Sequence, residues 1–93
     1  MMRIAGREFS FVIGSDVDRD GMYYEVSESK AGSKTVVAEV FYSDKDRRMT
    51  FTAFLPDLPF EVIEHLAEQA RDRLTPVQRK IQVVESTTKN DSN

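Results

Sequence analysis

Apolar and polar residues alternate along the first 55 residues of the chain. This two-residue period is typical of β-strands that face a core on one side. The pattern predicts four strands, which cover residues 3–13, 22–28, 35–43 and 48–55. Gly6 and Arg7 could also turn a short hairpin from residues 2–5, so three to five strands are expected. The short polar connections favour a consecutive antiparallel meander.

The period changes to that of a helix after Pro59, whose ring suits the first helical turn. One apolar stripe follows at helical spacing: Val62, Ile63, Leu66, Ala67, Ala70 and Leu74. The sequence therefore predicts an α+β fold in which a C-terminal helix packs on one face of the meander. Both layers are expected to supply the core: Phe11, Ile13, Tyr24, Val26, Val36, Ala38, Val40, Phe51, Ala53, Val62, Ile63, Leu66 and Ala70.

Pro76 divides the sequence that follows this stripe. Because proline inside a helix costs about 3 kcal/mol, a break or kink is expected there, followed by a short second helical segment to about Val84. One kinked helix is the alternative. Residues 85–93 contain no apolar side chain and predict a disordered tail. A single domain over residues 1–84 with a tail over residues 85–93 follows.

The predicted sheet carries more apolar side chains than one helix can cover. Tyr23, Val37, Phe41 and Phe54 alternate with the residues expected to face the helix. A large exposed apolar patch usually marks an interaction surface, so we predict that these four residues form an interface that is buried only in a complex. A two-fold homodimer is the favoured complex. Closure of this face by the chain's own terminal segments is the alternative.

Composition and charge narrow the class of protein further. The 93 residues fit one domain, the formal net charge is −3, and the chain has no cysteine. The acidic balance and the scattered basic residues argue against binding of nucleic acid. The sequence lacks the run of about 20 apolar residues that a membrane-spanning helix needs and lacks a secretory leader pattern. A soluble cytoplasmic protein without disulfides or thiolate metal sites is therefore expected.

One segment matches the first half of an EF-hand-type calcium loop. Asp16, Asp18 and Asp20 occupy alternate positions and Gly21 follows, so three carboxylates could converge on Ca²⁺. The twelfth position of such a loop needs a bidentate glutamate, and here it is Ser27. A weak calcium site is therefore an alternative prediction. The other interpretation is a turn in which the aspartates bond to nearby backbone amides.

Catalysis has little support in the sequence. His65 is the only histidine, and its position away from the centre of the apolar stripe predicts an exposed side chain. No activated nucleophile or oxyanion motif accompanies it. The acidic residues of the helix are expected to form a solvated face: Glu61, Glu64, Glu68 and Asp72. The expected function is that of a small non-catalytic protein-interaction module.

Overall fold

A computed structural model of the chain describes residues 1–74. These residues form five strands and one helix: β1 (Met2–Ile4), β2 (Arg7–Asp16), β3 (Gly21–Lys30), β4 (Ser33–Ser43), β5 (Arg48–Ala53) and α1 (Phe60–Leu74). The strands make one sheet in the order β1-β2-β3-β4-β5, and every neighbouring pair is antiparallel. The predicted α+β meander with a C-terminal helix on one face is confirmed, including the short N-terminal hairpin.

The helix α1 begins directly after Pro59. The carbonyl oxygen of Pro59 accepts hydrogen bonds from the amides of Val62 (3.0 Å) and Ile63 (3.4 Å), so this residue caps the helix. Among residues 1–74, no helix is both long and apolar enough to cross a membrane. The predicted break at Pro76, the second helical segment and the tail lie outside the described residues.

Two hairpin turns differ from the predicted ones: the first lies one residue earlier than Gly6–Arg7, and the second is shorter than the predicted loop. Ala5 and Gly6 connect β1 to β2, and Ala31 and Gly32 connect β3 to β4. All four residues have positive φ, between 50° and 82°, which is the pattern of two-residue type I′ turns. The polar loop expected over residues 29–34 therefore shrinks to two residues, and the strands on both sides continue into it. Alanine rarely adopts this conformation, so Ala31 does not indicate a two-residue turn.

The hydrophobic core lies between α1 and one face of β2, β3 and β4. Its helix members follow one stripe: Val62, Leu66, Ala70 and Leu74. Its sheet members are Phe9, Tyr24, Val26, Val37, Ala38 and Val40. Complete burial of a side chain such as Phe9 or Leu66 contributes roughly 1.5–3 kcal/mol. This packing fixes which face of the sheet the helix covers.

A β-bulge in β4 changes the faces of two neighbouring valines. Val26 pairs with Ala38, but the next residue, Ser27, pairs with Val36, so Val37 is an extra residue in β4. Val37 is 1% exposed and belongs to the core, whereas Val36 is 37% exposed. The prediction that Val37 is buried only in a complex is therefore wrong, and so is the prediction that Val36 is a core residue. Both assumed an unbroken two-residue alternation.

The width of the sheet explains the other differences in burial. The helix packs mainly on β3 and β4, so Ile13 and Phe51 on the flanking strands stay 37% and 49% exposed, although both were expected in the core. Ala53 is exposed for the same reason. His65 is half-buried rather than exposed, because the side chain of Phe11 extends from β2 and contacts the imidazole ring. The two ring centroids lie 4.6 Å apart in an edge-to-face arrangement.

Candidate protein-interaction surface

The face of the sheet opposite α1 carries a mixed set of apolar, aromatic and charged side chains, and we call it the open face. Its members are set by the strand registers: Ser10, Val12, Gly14, Asp16, Gly21, Tyr23, Glu25, Ser27, Val36, Glu39, Phe41, Ser43, Arg48, Thr50 and Thr52. Phe54 extends the set by one position, because its amide donates a hydrogen bond to the carbonyl oxygen of Val37 (2.8 Å). Three of the four predicted interface residues, Tyr23, Phe41 and Phe54, therefore share this face.

Two aromatic rings lie flat on the open face because glycines leave room for them. Tyr23 and Phe41 are direct partners in the β3–β4 pair. A Cβ atom at Gly14 would lie 2.5 Å from the Tyr23 hydroxyl oxygen, and one at Gly21 would lie 2.6 Å from Cζ of Phe41. Both rings are half-buried without any contribution from the helix. The sequence marks the two glycines as turn residues, and their role as space for the rings depends on the strand pairing.

Arg19 covers one of these rings from the loop between β2 and β3. Its guanidinium carbon lies 4.1 Å from the centroid of the Phe41 ring, a cation–π contact. Nη1 and Nη2 donate to Glu39 Oε1 and Oε2 at 3.2 and 2.7 Å, and Nε donates to Asp16 Oδ2 at 2.6 Å. The hydrogen bonds to Glu39 and then to Asp16 raise the pKa of Arg19, so its positive charge is neutralised within the chain.

In the loop between β2 and β3, the side chain of Asp16 stabilises the turn through hydrogen bonds with backbone amides. Asp16 Oδ1 accepts hydrogen bonds from the amides of Asp18 (3.1 Å) and Arg19 (3.2 Å). The side-chain hydrogen bond from Arg19 is the main cause of the lowered pKa of Asp16. Asp18 and Asp20 are exposed, and residues 1–74 contain no cluster of three or more potential metal-ligating side chains. The calcium site stays a prediction, and Ca²⁺ would have to compete with Arg19 for Asp16.

Glu25 is the carboxylate on this face that the fold leaves unpaired. It lies directly opposite Glu39 in β4 and Val12 in β2, and it makes no hydrogen bond or ion pair with the described residues. Partial burial raises the pKa of Glu25, the negative charge of Glu39 raises it further, and Arg19 opposes these effects. The carboxylate therefore lies where a further positive charge would stabilise it.

Two depressions lie beside one another on the open face. One is about 390 Å³ and is lined by Glu25, Val36, Glu39 and Phe54. The other is about 790 Å³ and is lined by Arg19, Phe41, Ser43, Asp46, Arg48 and Thr50. Arg48 is exposed and makes no ion pair with the described residues. Within residues 1–74, the open face thus holds an acid without an ion pair in one depression and a base without one in the next.

Sequence reasoning found the aromatic part of this surface and missed its charged part. Alternation places Tyr23 and Phe41 correctly because no irregularity lies between them and the turns of their strands. Alternation also puts Glu25 on the face of Tyr23, but the alternation of one strand does not show that Glu25 and Arg48 lack ion-pair partners among the described residues. The place of Val36 depends on the bulge in the pairing of β3 with β4. Comparison of the chain with protein-family models, with curated proteins and with solved structures finds no match in any of the three.

Proposed function

We propose that the chain is a non-catalytic protein-interaction module that forms a homodimer through the open face. One observation carries the proposal: the partly buried carboxylate of Glu25 has no partner among the described residues and has exposed apolar side chains around it. Val12, Val36 and Phe54 are 47%, 37% and 57% exposed. A partly buried carboxylate without a hydrogen-bond partner raises the free energy of the monomer. A second surface that brings apolar groups and a positive charge lowers that free energy.

A second copy of the chain is the partner that this surface fits best. The open face carries its own complement, because Arg48, like Glu25, makes no ion pair with the residues that the structure describes. In a two-fold complex the same patch of both copies meets, so every group on the face is present twice. Each copy then supplies the apolar cover and the positive charge that the other lacks.

The side chains of the two depressions favour binding over chemistry. Glu39 and Arg19 are held in an ion pair with each other, with Nη2 to Oε2 at 2.7 Å. The described residues that line the depression of Glu25 include no serine, threonine, histidine or cysteine. A carboxylate that has no nucleophile or electrophile beside it favours a binding role over a catalytic role.

Sedimentation equilibrium of the full chain over a wide concentration range tests the proposal. We expect a reversible monomer–dimer equilibrium for the natural sequence. Phe54→Ser removes a large apolar side chain from the open face, and it should weaken dimerisation by about 10- to 100-fold, equivalent to roughly 1.5–3 kcal/mol.

Phe60→Ser is the matched control for this experiment. Phe60 is 70% exposed but belongs to α1, which packs on the other side of the sheet. It should leave the dimer affinity unchanged. A natural sequence that stays monomeric at every concentration would refute the proposal, as would an equal loss of affinity in both variants.

A further inference from the structure

We infer that the dimer pairs Glu25 of each copy with Arg48 of the other, around a two-fold axis that passes over Phe41. The inference rests on the proposed homodimer and adds the register of its contact. Phe41 lies on β4 between Tyr23 of β3 and Thr50 of β5. Glu25 and Arg48 are each two residues away from these partners, one on either side of Phe41.

The strand registers make this placement symmetric. Glu25 is level with Glu39, two residues before Phe41 on β4, and Arg48 is level with Ser43, two residues after it. Each charged residue is therefore displaced from Phe41 by one strand and two residues, about 8 Å in the geometry of a regular sheet. The two displacements point in opposite directions. A two-fold axis in the plane of the interface, perpendicular to the line between them, exchanges one position with the other.

The chemistry of the two depressions agrees with this exchange. The Glu25 depression is walled by Val36 and the ring of Phe54, which suit the aliphatic stem and the planar guanidinium of an arginine. A carboxylate accepts two hydrogen bonds from a guanidinium in a geometry that lysine cannot reproduce. Burial and the neighbouring Glu39 already disfavour the charge on Glu25, and the positive charge and hydrogen bonds of an incoming arginine would offset both effects.

Other charged side chains near Glu25 and Arg48 are held by hydrogen bonds within the chain. Glu25 and Arg48 are therefore available to pair between two copies. Arg19, whose charge opposes the raised pKa of Glu25, is held by Glu39 and Asp16. Asp46 lines the depression of Arg48 and is its intramolecular competitor, but it bonds to Ser43 through both its amide and its carboxylate. The Arg19–Phe41 stack lies on the axis with its charge already balanced.

Exchange of the two charges provides the test. Glu25→Arg places arginine against arginine at both contacts of the dimer, and Arg48→Glu places glutamate against glutamate. Each variant alone should therefore lose dimer affinity by about 100-fold or more. In an equimolar mixture of the two, arginine meets glutamate at both contacts, so a heterodimer should form with an affinity close to that of the natural homodimer. Sedimentation with one variant fluorescently labelled measures all three affinities.

Arg47→Glu is the matched control, because it makes the same charge change one residue away, in the turn before β5. It should dimerise normally and should not rescue Glu25→Arg. The milder variants Glu25→Gln and Arg48→Gln should each weaken the dimer. Their mixture should recover part of the affinity, because the heterodimer keeps one Glu25–Arg48 contact and places glutamine against glutamine at the other. This pair replaces the first if circular dichroism shows that Glu25→Arg does not fold.

The outcomes distinguish an error in the Glu25–Arg48 register from an error in the homodimer itself. A natural sequence that dimerises while both charge variants keep its affinity, or a mixture that fails to recover, overturns the Glu25–Arg48 register and leaves the homodimer standing. A natural sequence that stays monomeric overturns both, whether a terminal segment or a different protein covers the open face.

Discussion

Glu28 and Glu25 lie three residues apart on β3 and point to opposite faces of the sheet. Glu28 accepts two hydrogen bonds from Arg7, from Nε to Oε2 and from Nη2 to Oε1, both at 2.9 Å, and these bonds lower its pKa. Glu25 has no such partner in the described part of the chain, and burial raises its pKa. The glutamate on the helix side of the sheet is thus paired within the chain. The glutamate on the open face has no charged partner among residues 1–74.

Arg7, the partner of Glu28, contacts two further parts of the fold. The Arg7 guanidinium carbon lies 5.3 Å from the centroid of the Phe9 ring, and Nη1 donates to the carbonyl oxygen of Asp57 at 3.1 Å. Arg7 thus connects the sheet to the segment that leads into α1. An ion pair embedded in this way has a structural role.

The largest effect is expected from the residues that pair with the two glutamates across β2. Phe9 is opposite Glu28 and fully buried, and Val12 is opposite Glu25 and 47% exposed. Phe9→Ala should lower the free energy of unfolding by about 3–5 kcal/mol, because it opens a cavity in the core. Val12→Ala should cost less than about 1 kcal/mol. Urea denaturation, at a concentration where the chain is monomeric, measures both; similar costs would contradict the contrast between the faces.

Neutralising each glutamate should shift stability in opposite directions at neutral pH. Glu28→Gln weakens two charge-assisted hydrogen bonds and should lower the Tm of the monomer by several degrees. Glu25→Gln removes a disfavoured charge beside Glu39 and should raise the Tm slightly. Glu25→Gln should at the same time weaken the dimer, so stability and association move apart. Thermal unfolding followed by circular dichroism checks the signs, and a fall in Tm in both variants would show that Glu25 is satisfied within the chain.

The smallest effect is a difference in the dependence of stability on pH. The folded pKa of Glu28 is lowered, so its contribution is complete above the unfolded pKa of about 4.3 and is lost as the pH falls toward the folded value. The folded pKa of Glu25 is raised, so the monomer loses stability as the pH rises from the unfolded toward the folded value. Glu28→Gln should flatten the acid limb of the profile, and Glu25→Gln should remove the opposing slope. Urea denaturation at a series of pH values resolves the two, and unchanged profiles in both variants would contradict the assigned environments.

The sequence predicts the elements of this fold better than it predicts its surfaces. Periodicity and Pro59 locate the strands and the start of the helix, because burial and the geometry of proline act locally. The assignment of Val36 and Val37 fails because a bulge arises from the pairing of β3 with β4 and leaves no mark in either strand alone. Arg19 and Glu39, twenty positions apart in the chain, meet only once the meander is formed. The alternation pattern therefore indicates which charged residues share the open face, but it does not indicate which of them pair.

The bulge at Val37 lets the two faces of β4 vary independently. An unbroken strand allots its residues to alternate sides, so any insertion would exchange the core with the surface along the rest of the strand. Here the inserted residue is absorbed on the core side: Val36 pairs with Ser27 and Ala38 with Val26, as they would if Val37 were absent. Over evolutionary time, such a strand can gain or lose one core side chain while the open face keeps its arrangement of groups.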